Sequence, residues 1–551
     1  MDSEQSMLVR EITPQARAAF ESAGMWQNKA FFQYVDEAAQ RNPDKLALAD
    51  QFHRLSYAEV VALSKALAAF LIQAGVKPGD AVSVQAPNSV LLPLVHIAVS
   101  RVQGVYVPMH EAWRETEVHH LLATSQAKIV FGVRECHGFE HYKMIEGLSG
   151  LEDLEQIVPL VHGAEGLDLV PGRDIPPDEV DQLLEAVPLD SDAARHTMIS
   201  SGTTAMPKIS EMSDNGYIAL LLGAYVRRCG MSSDDIVVGL APAATGATGY
   251  VFPVVAPLML GATSILLDPW LADNALNLLE QEGATCAVAV PTQLVQMLDS
   301  PLAKTVDLTP LRFITNGGAP LAEVKAREIE AAFGCQVHTM YGTTDAGVPL
   351  MMPLDLADPG SRVSSVGTVA EGMELILTDA VGQQVAPGQV GEILWRGAQS
   401  YLGYRNDEAN TTKVFDENGW YHSGDLGSID STGFIRIVGR TKDMIIRGGQ
   451  NIFPGEIEEI LSHSDQVAAV AVVGVPDDVM GERACACVTL KDPNRSFTFE
   501  NMIQLLDAAK VAKFKRPEFL EILESFPESA GGKIQKAELA KLVQKRDQER
   551  K

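Results

Sequence analysis

Ile199-Ser200-Ser201-Gly202-Thr203-Thr204-Ala205-Met206-Pro207-Lys208 is the stretch on which the reading of this chain turns. An apolar, strand-like entry gives way to hydroxyl-bearing and small residues and closes on a lysine. Such a backbone can wrap an anion while the hydroxyls and the ammonium face it. That is phosphate chemistry. The stretch lacks the G-x-x-x-x-G-K-[ST] spacing in which Ser or Thr follows the lysine and meets the metal, so a standard NTPase loop is a poor fit.

Length and charge bound what the loop can serve. A chain of 551 residues implies several folding units, because single cores stop growing at about 250–300 residues. There are 44 Lys+Arg against 72 Asp+Glu, a net charge of −28 with pI near 4.8. This argues against a sequence-independent hold on nucleic acid or on an anionic membrane, so a phosphate ligand must be held by local geometry. The cysteines Cys136, Cys229, Cys286, Cys335, Cys485 and Cys487 form no paired framework, as expected in a reducing cytosol. Met1-Asp2-Ser3-Glu4 opens no signal pattern, and 18 successive apolar residues occur nowhere; the expectation is a soluble, cytoplasmic protein. Cys136-His137 with His141 is the tight Cys/His cluster. Without further ligands at fixed spacing it reads as packing or solvent-facing side chains.

Periodicity predicts alternating helices and strands over 1–190: a helix at 58–75, a buried strand at 81–86, a helix at 91–104 and a strand at 105–107. The acidic stretch 168–192 reads as a surface connection. The pattern resumes with strands at 236–240, 264–267, 286–290, 311–315 and 336–340 and helices at 252–260 and 272–281. The fold class is therefore α/β, with two doubly wound sheets. Residues 360–439 form a small β-rich subdomain, and a smaller α+β unit of about 110 residues follows. Its predicted elements are a helix at 454–463, strands at 467–473 and 484–490, a helix at 499–509 and a polar, basic tail. The domains are placed at 1–439 and 440–551.

In order and spacing, these motifs resemble the adenylate-forming superfamily of acyl-CoA synthetases, aryl acid–AMP ligases, nonribosomal adenylation domains and firefly luciferase. The likeness runs over nearly the whole chain. Residues 200–208 resemble the family's phosphate loop, with Ala205 where the pattern has a second glycine. The likeness implies that Ser201, Gly202, Thr203, Thr204 and Lys208 hold phosphates. Asn316-Gly317-Gly318-Ala319-Pro320 resembles the stretch along which adenine stacks, and absent side chains permit that approach. Tyr341-Gly342-Thr343-Thr344-Asp345 resembles Tyr-Gly-x-Thr-Glu, which implies Thr344 on the α-phosphate and Asp345, one methylene short of the usual Glu, on Mg²⁺. Tyr421-His422-Ser423-Gly424-Asp425 resembles Tyr-x-Thr/Ser-Gly-Asp, with Asp425 on the ribose hydroxyls and Arg440 beside it. Lys442 falls on the family's hinge, about which the small domain is thought to turn. Gly448-Gly449 lie in the loop that swings in afterwards, Gly449 matching the tunnel glycine of CoA-using members. Pro527–Ile534 resembles the family's terminal motif, with Lys533 bridging the substrate carboxylate and the α-phosphate.

The resemblance implies two half-reactions: ATP and an acid give an acyl adenylate and pyrophosphate, then an acceptor takes the acyl group and releases AMP. ATP, Mg²⁺ and CoA or pantetheine are the implied partners, with an acyl carrier protein or an amine as other acceptors, no nucleic acid or membrane, and a monomer or homodimer. The acid pocket departs most from the family. Thr245 takes the place of a histidine or aromatic residue, and Gly246 stands where amino-acid activators carry Asp and hydroxybenzoate activators Asn. With Ala247, Tyr250, Ala346 and Gly347, this predicts room for a bulky, mostly apolar acid. An amide-forming ligase is the alternative within the class. A binding or regulatory homologue without activity is the alternative from another class.

Overall fold

The computed structural model describes residues 12–200, 206–244, 246–351, 359–399, 401–477, 479–527 and 534–550. A seven-stranded sheet runs in the order Tyr401–Tyr404, Lys208–Ser213, Ala194–Ser200, Val105–Met109, Ala81–Gln85, Ala127–Val133 and Gln156–Leu160. Its central strands Ala81–Gln85 and Val105–Met109 are buried at every residue, as parallel strands covered on both faces require. Helix Leu91–Arg101 is likewise buried on all sides. Its one charge is satisfied there: the Arg101 guanidinium donates to Asp36 at 2.5 and 2.9 Å and to Ser64 Oγ at 3.1 Å.

A nine-stranded sheet has the order Thr368–Val369, Gly347–Met351, Gln336–Thr343, Phe313–Asn316, Cys286–Ala289, Ile236–Gly239, Thr263–Leu266, Leu46–Ala49 and Arg54–Ser56. A four-stranded antiparallel sheet joins Met373–Thr378, Val390–Gly397, Tyr421–Ile429 and Ile435–Arg440. The last sheet pairs Gln450–Ile452, Ile445–Arg447, Gly481–Leu490 and Val467–Asp477, with Phe519–Ile522 parallel to Gly481–Leu490. The expected mixed α/β architecture, a large N-terminal part of several sheets and a smaller C-terminal one, is present.

Where strands go differs from chain order. Leu46–Ala49 pairs in parallel with Thr263–Leu266, so the N-terminal segment completes the second sheet. Tyr401–Tyr404, expected in the β-rich subdomain, instead pairs antiparallel with Lys208–Ser213. The 168–192 connection contains the helix Pro177–Glu185, which starts on a proline, carries Asp178 and Glu179 in its first turn and buries Val180; proline at N1 and acids at the positive helix end favour this local winding. The tail is also helical, over Lys536–Arg550. The helix predicted at 252–260 divides into a wide turn with i→i+5 bonding at Ala247–Val255 and an α-helix at Ala256–Leu260. Among the described residues, all six cysteines are free and buried, and no helix is long and apolar enough to cross a membrane.

Between the layers lies a buried polar chain. Tyr250 OH faces His96 Nδ1 at 3.1 Å, His96 Nε2 faces His196 Nδ1 at 2.8 Å, and His196 Nε2 faces Asp214 Oδ1 at 2.9 Å. Tyr106 stacks on His96 and Tyr217 on His196. Burial, and after it the neighbouring His196, holds His96 well below the ordinary histidine value. The folded state thus refuses a proton that the unfolded chain takes up near pH 6.5. This contribution to stability is present above about pH 6.5 and is lost as pH falls towards the depressed folded value, with a slope of up to about 1.4 kcal/mol per pH unit. Thermal melts from pH 8 to pH 5 should therefore drop more steeply in the parent than in His96→Gln. Parallel curves would remove His96 from the account.

Candidate active site

Ala194–Ser200 and Lys208–Ser213 are antiparallel neighbours with Ser200 opposite Lys208. The described ends of the phosphate stretch therefore lie on adjacent antiparallel strands. Ser201, Gly202, Thr203, Thr204 and Ala205 lie outside the described residues, as does Thr245. Lys208 Nζ stands 4.7 Å from the Tyr404 ring centre, within cation–π range. Asp345 comes to the same place: Ser210 Oγ donates to its Oδ1 at 3.4 Å, and the Tyr404 hydroxyl bonds it as well. Burial, then the Asp345 charge, pushes the Tyr404 phenol far upward, so it stays protonated and donates.

A second group forms around Asp425, which is only 8% exposed. Tyr341 OH donates to its Oδ2 at 2.6 Å, and Arg440 Nε to its Oδ1 at 2.7 Å. The backbone sets this up, since Asp425 and Arg440 face each other across Tyr421–Ile429 and Ile435–Arg440. Burial, then Asp425, raises Tyr341 well above the ordinary phenol value. Each carboxylate oxygen has a second acceptor position, so the arrangement can also take the hydroxyls of a vicinal diol.

Phe313–Asn316 ends in Gly317-Gly318-Ala319. A Cβ at Gly317 would lie 2.5 Å from Met340 Cε and 3.2 Å from Thr248 Oγ1, whereas Gly318 has φ +87° and is exposed. The result is a flat backbone ledge. Buried Asn316 donates to Thr339 Oγ1 at 2.9 Å, and its Oδ1 has no partner among the described residues.

The expected acid wall meets this cleft at Gly246, whose φ is +65° and whose added Cβ would fall 2.7 Å from Thr344 Cγ2. Gly342 is equally constrained, its Cβ position lying 2.1 Å from the Gly347 carbonyl oxygen, which makes the 342–347 turn tight. Two of the expected wall residues are closely packed in this structure. Tyr250 is 4% exposed and turns its hydroxyl to His96. At Gly347 the missing side chain leaves no free room, because a Cβ would meet Gln399 Oε1 at 2.6 Å. Ala346 is buried and its carbonyl accepts from Trp395 Nε1 at 2.8 Å; Ala247 is half-buried. Gly246→Ala should cost about 1–3 kcal/mol through its backbone conformation and displace Thr344. Chemical denaturation and adenylation kinetics on the same sample should both register it, and unchanged values for both would refute the close packing.

Lys442 is exposed in the short turn Thr441–Asp443, directly after Arg440. Gly448 and Gly449 form the exposed tip between Ile445–Arg447 and Gln450–Ile452, with φ +56° and +78°. Nothing lies within 4 Å of a Cβ at Gly449, so in this structure the tip is not packed in the cleft. Lys533 is outside the described residues.

Several supporting residues escaped the motif reading. Asn88 Nδ2 donates to the Ala241 and Leu267 carbonyls at 3.1 and 3.0 Å, while its Oδ1 accepts from Ala243 N at 2.6 Å. It clamps the segment before Gly246 to the neighbouring strand end. Gln399 bonds both the N–H and the carbonyl of Val348, at 3.0 and 2.9 Å, and Tyr404 joins Lys208 to Asp345. Their partners are distant in sequence, so no local pattern marks them.

The chain matches the AMP-binding enzyme family over residues 35–405 and the AMP-binding enzyme C-terminal domain over 456–533. It belongs to this family, the adenylate-forming enzymes, and is an AMP-forming, ATP-dependent acid ligase. It is 33% identical to the medium-chain fatty-acid–CoA ligase of Escherichia coli (strain K12), over 97% of this chain and 94% of that one. It is 30% identical to the pyochelin synthase PchD of Pseudomonas aeruginosa (strain UCBPP-PA14), over 94% and 93%. The crystal structure of ATP-bound MatB from Rhodopseudomonas palustris superposes with a TM-score of 0.80 at 26% identity, covering 93% of this chain and 99% of that one.

Proposed function

We propose that the protein activates a bulky, mostly apolar carboxylic acid as its acyl adenylate and passes the acyl group to the thiol of CoA or of a carrier-bound pantetheine. One observation carries this reading. Lys208 and Asp345 meet through Tyr404, Thr344 backs onto Gly246, and Tyr341 and Arg440 converge on Asp425. Phosphate-, acyl- and sugar-binding chemistry are thereby linked through the single stretch 341–345.

In the first half-reaction a carboxylate oxygen attacks the α-phosphorus of ATP and pyrophosphate leaves. Lys208, Thr344 and Lys533 oppose the charge that builds on the phosphoryl oxygens, and Asp425 with Arg440 holds the ribose. Asp345, a hard oxygen donor flanked by two hydroxyls, would hold Mg²⁺, which supplies charge neutralisation when bound. In the second half-reaction the acceptor sulfur attacks the acyl carbon, loses its proton and displaces AMP. We assign residues 1–439 to the adenylating domain and 440–551 to a domain that turns about Lys442, withdrawing Lys533 and bringing Gly449 to the cleft.

The apolar preference is supported by the wall itself. Gly246, Ala247 and Ala346 of that expected wall carry no charge, so a substrate α-amine would lack a carboxylate partner there. Exchange of labelled pyrophosphate into ATP across a panel of carboxylates tests the acid: medium-chain and alicyclic acids should lead, and acetate or propionate turning over faster than every large acid would refute the pocket argument. Mass spectrometry after incubation with CoA, or with amines in its place, identifies the acceptor. An amide product in place of a thioester would favour the amide-forming reading.

A further inference from the structure

The geometry points to a zinc-class metal site, apart from the nucleotide cleft, formed by Cys136, His137 and Asp268 with a fourth position for solvent, His162 backing the Asp268 carboxylate. The candidate ligand atoms of Cys136, His137 and Asp268 all lie within 4.8 Å of one another. Asp268 Oδ2 is the hub, 3.1 Å from His137 Nε2 and 3.4 Å from His162 Nε2. Donors bound tetrahedrally at about 2.0–2.3 Å stand roughly 3.3–3.8 Å apart, and a mixed S/N/O set is characteristic of zinc. A thiolate and a carboxylate with one neutral imidazole would balance a divalent charge.

The ligands come from two sheets. Cys136 and His137 follow Ala127–Val133, and His162 follows the parallel neighbour Gln156–Leu160, both in the seven-stranded sheet. Asp268 follows Thr263–Leu266 of the nine-stranded sheet. All four therefore stand beyond the carboxyl ends of parallel strands, where open α/β sheets gather ligands. A tight turn presents the first pair: Cys136 and Phe139 exchange backbone hydrogen bonds of 3.0 Å each way around His137 (φ +51°) and Gly138 (φ +77°). His141 is excluded, because its ring nitrogens face the carbonyls of Phe139 and Glu111 at 3.0 and 2.8 Å. The third donor is thus Asp268, which the local cluster did not contain, and His162 holds that carboxylate from behind at 3.4 Å. A bound ion would join the two sheets directly.

The test uses the full chain, stripped with a chelator and held in excess Mg²⁺ without ATP. Zn²⁺ titration should show one tight equivalent and a raised melting temperature. Co²⁺ should give a thiolate charge-transfer band that disappears in Cys136→Ser. His162→Ala and Asp268→Asn should weaken Zn²⁺ binding by about tenfold or more, with pyrophosphate exchange retained as evidence of folding. If Cys136→Ser fails to fold, His137→Ala at an exposed turn tests the same site. No charge-transfer band, or Zn²⁺ affinity indifferent to these substitutions, would reduce the cluster to a His–Asp ion-pair latch and overturn the inference.

Discussion

Alanine at Lys533 is expected to lower acid-dependent pyrophosphate exchange by about 10²–10³-fold, the usual cost of deleting one preorganised donor to developing negative charge. The motif assigns Lys533 to the adenylation step alone. Its loss should therefore spare the second half-reaction, in which presynthesised acyl adenylate and the acceptor give product and AMP. This split separates a mobile catalytic lysine from a residue that merely supports the fold, since a folding defect would depress both steps. Equal losses in the two half-reactions would remove Lys533 from the role proposed for it.

The second large effect is expected at Asp425. Its oxygens already take Tyr341 OH at 2.6 Å and Arg440 Nε at 2.7 Å, and the proposed ribose would add two further donors. Hydrogen bonds to a charged group are each worth about 1.5–3 kcal/mol, so losing two of them in Asp425→Ala should reduce kcat/KM for ATP by about 10²–10⁴-fold while leaving the KM of the acid near its parent value. Tyr341→Phe removes only one of these bonds and should cost about 1.5–3 kcal/mol. Steady-state kinetics with ATP and acid varied separately would decide the matter. Unaltered ATP kinetics in Asp425→Ala would be incompatible with a sugar-binding carboxylate.

The motif residues were legible because the chemistry they carry is local. Tyr341, Gly342, Thr344 and Asp345 occupy one turn, and the need for glycine there is visible both as a motif and as a 2.1 Å contact at the Gly342 Cβ position. The central strands were legible too, since Ala81–Gln85 and Val105–Met109 are unbroken buried runs. The helix Pro177–Glu185 was obscured by its acidic composition, although its proline start is a local signal. At Gly347 a missing side chain marks a close approach without revealing what approaches, and here it is Gln399.

Local order thus established the α/β class, the order of the ligand-binding loops and the residue types offered to phosphate and sugar, because periodicity and motif chemistry operate over a few residues. Tertiary structure alone decided that Leu46–Ala49 completes the nine-stranded sheet, that Tyr401–Tyr404 pairs with Lys208–Ser213, and that Tyr404 stands between Lys208 and Asp345. It also decided that Cys136 and His137 meet Asp268 and His162 in place of His141. Such meetings depend on which strands become neighbours and on how burial directs each side chain. Those outcomes are set by packing between segments scores to hundreds of residues apart, where no sequence period reaches.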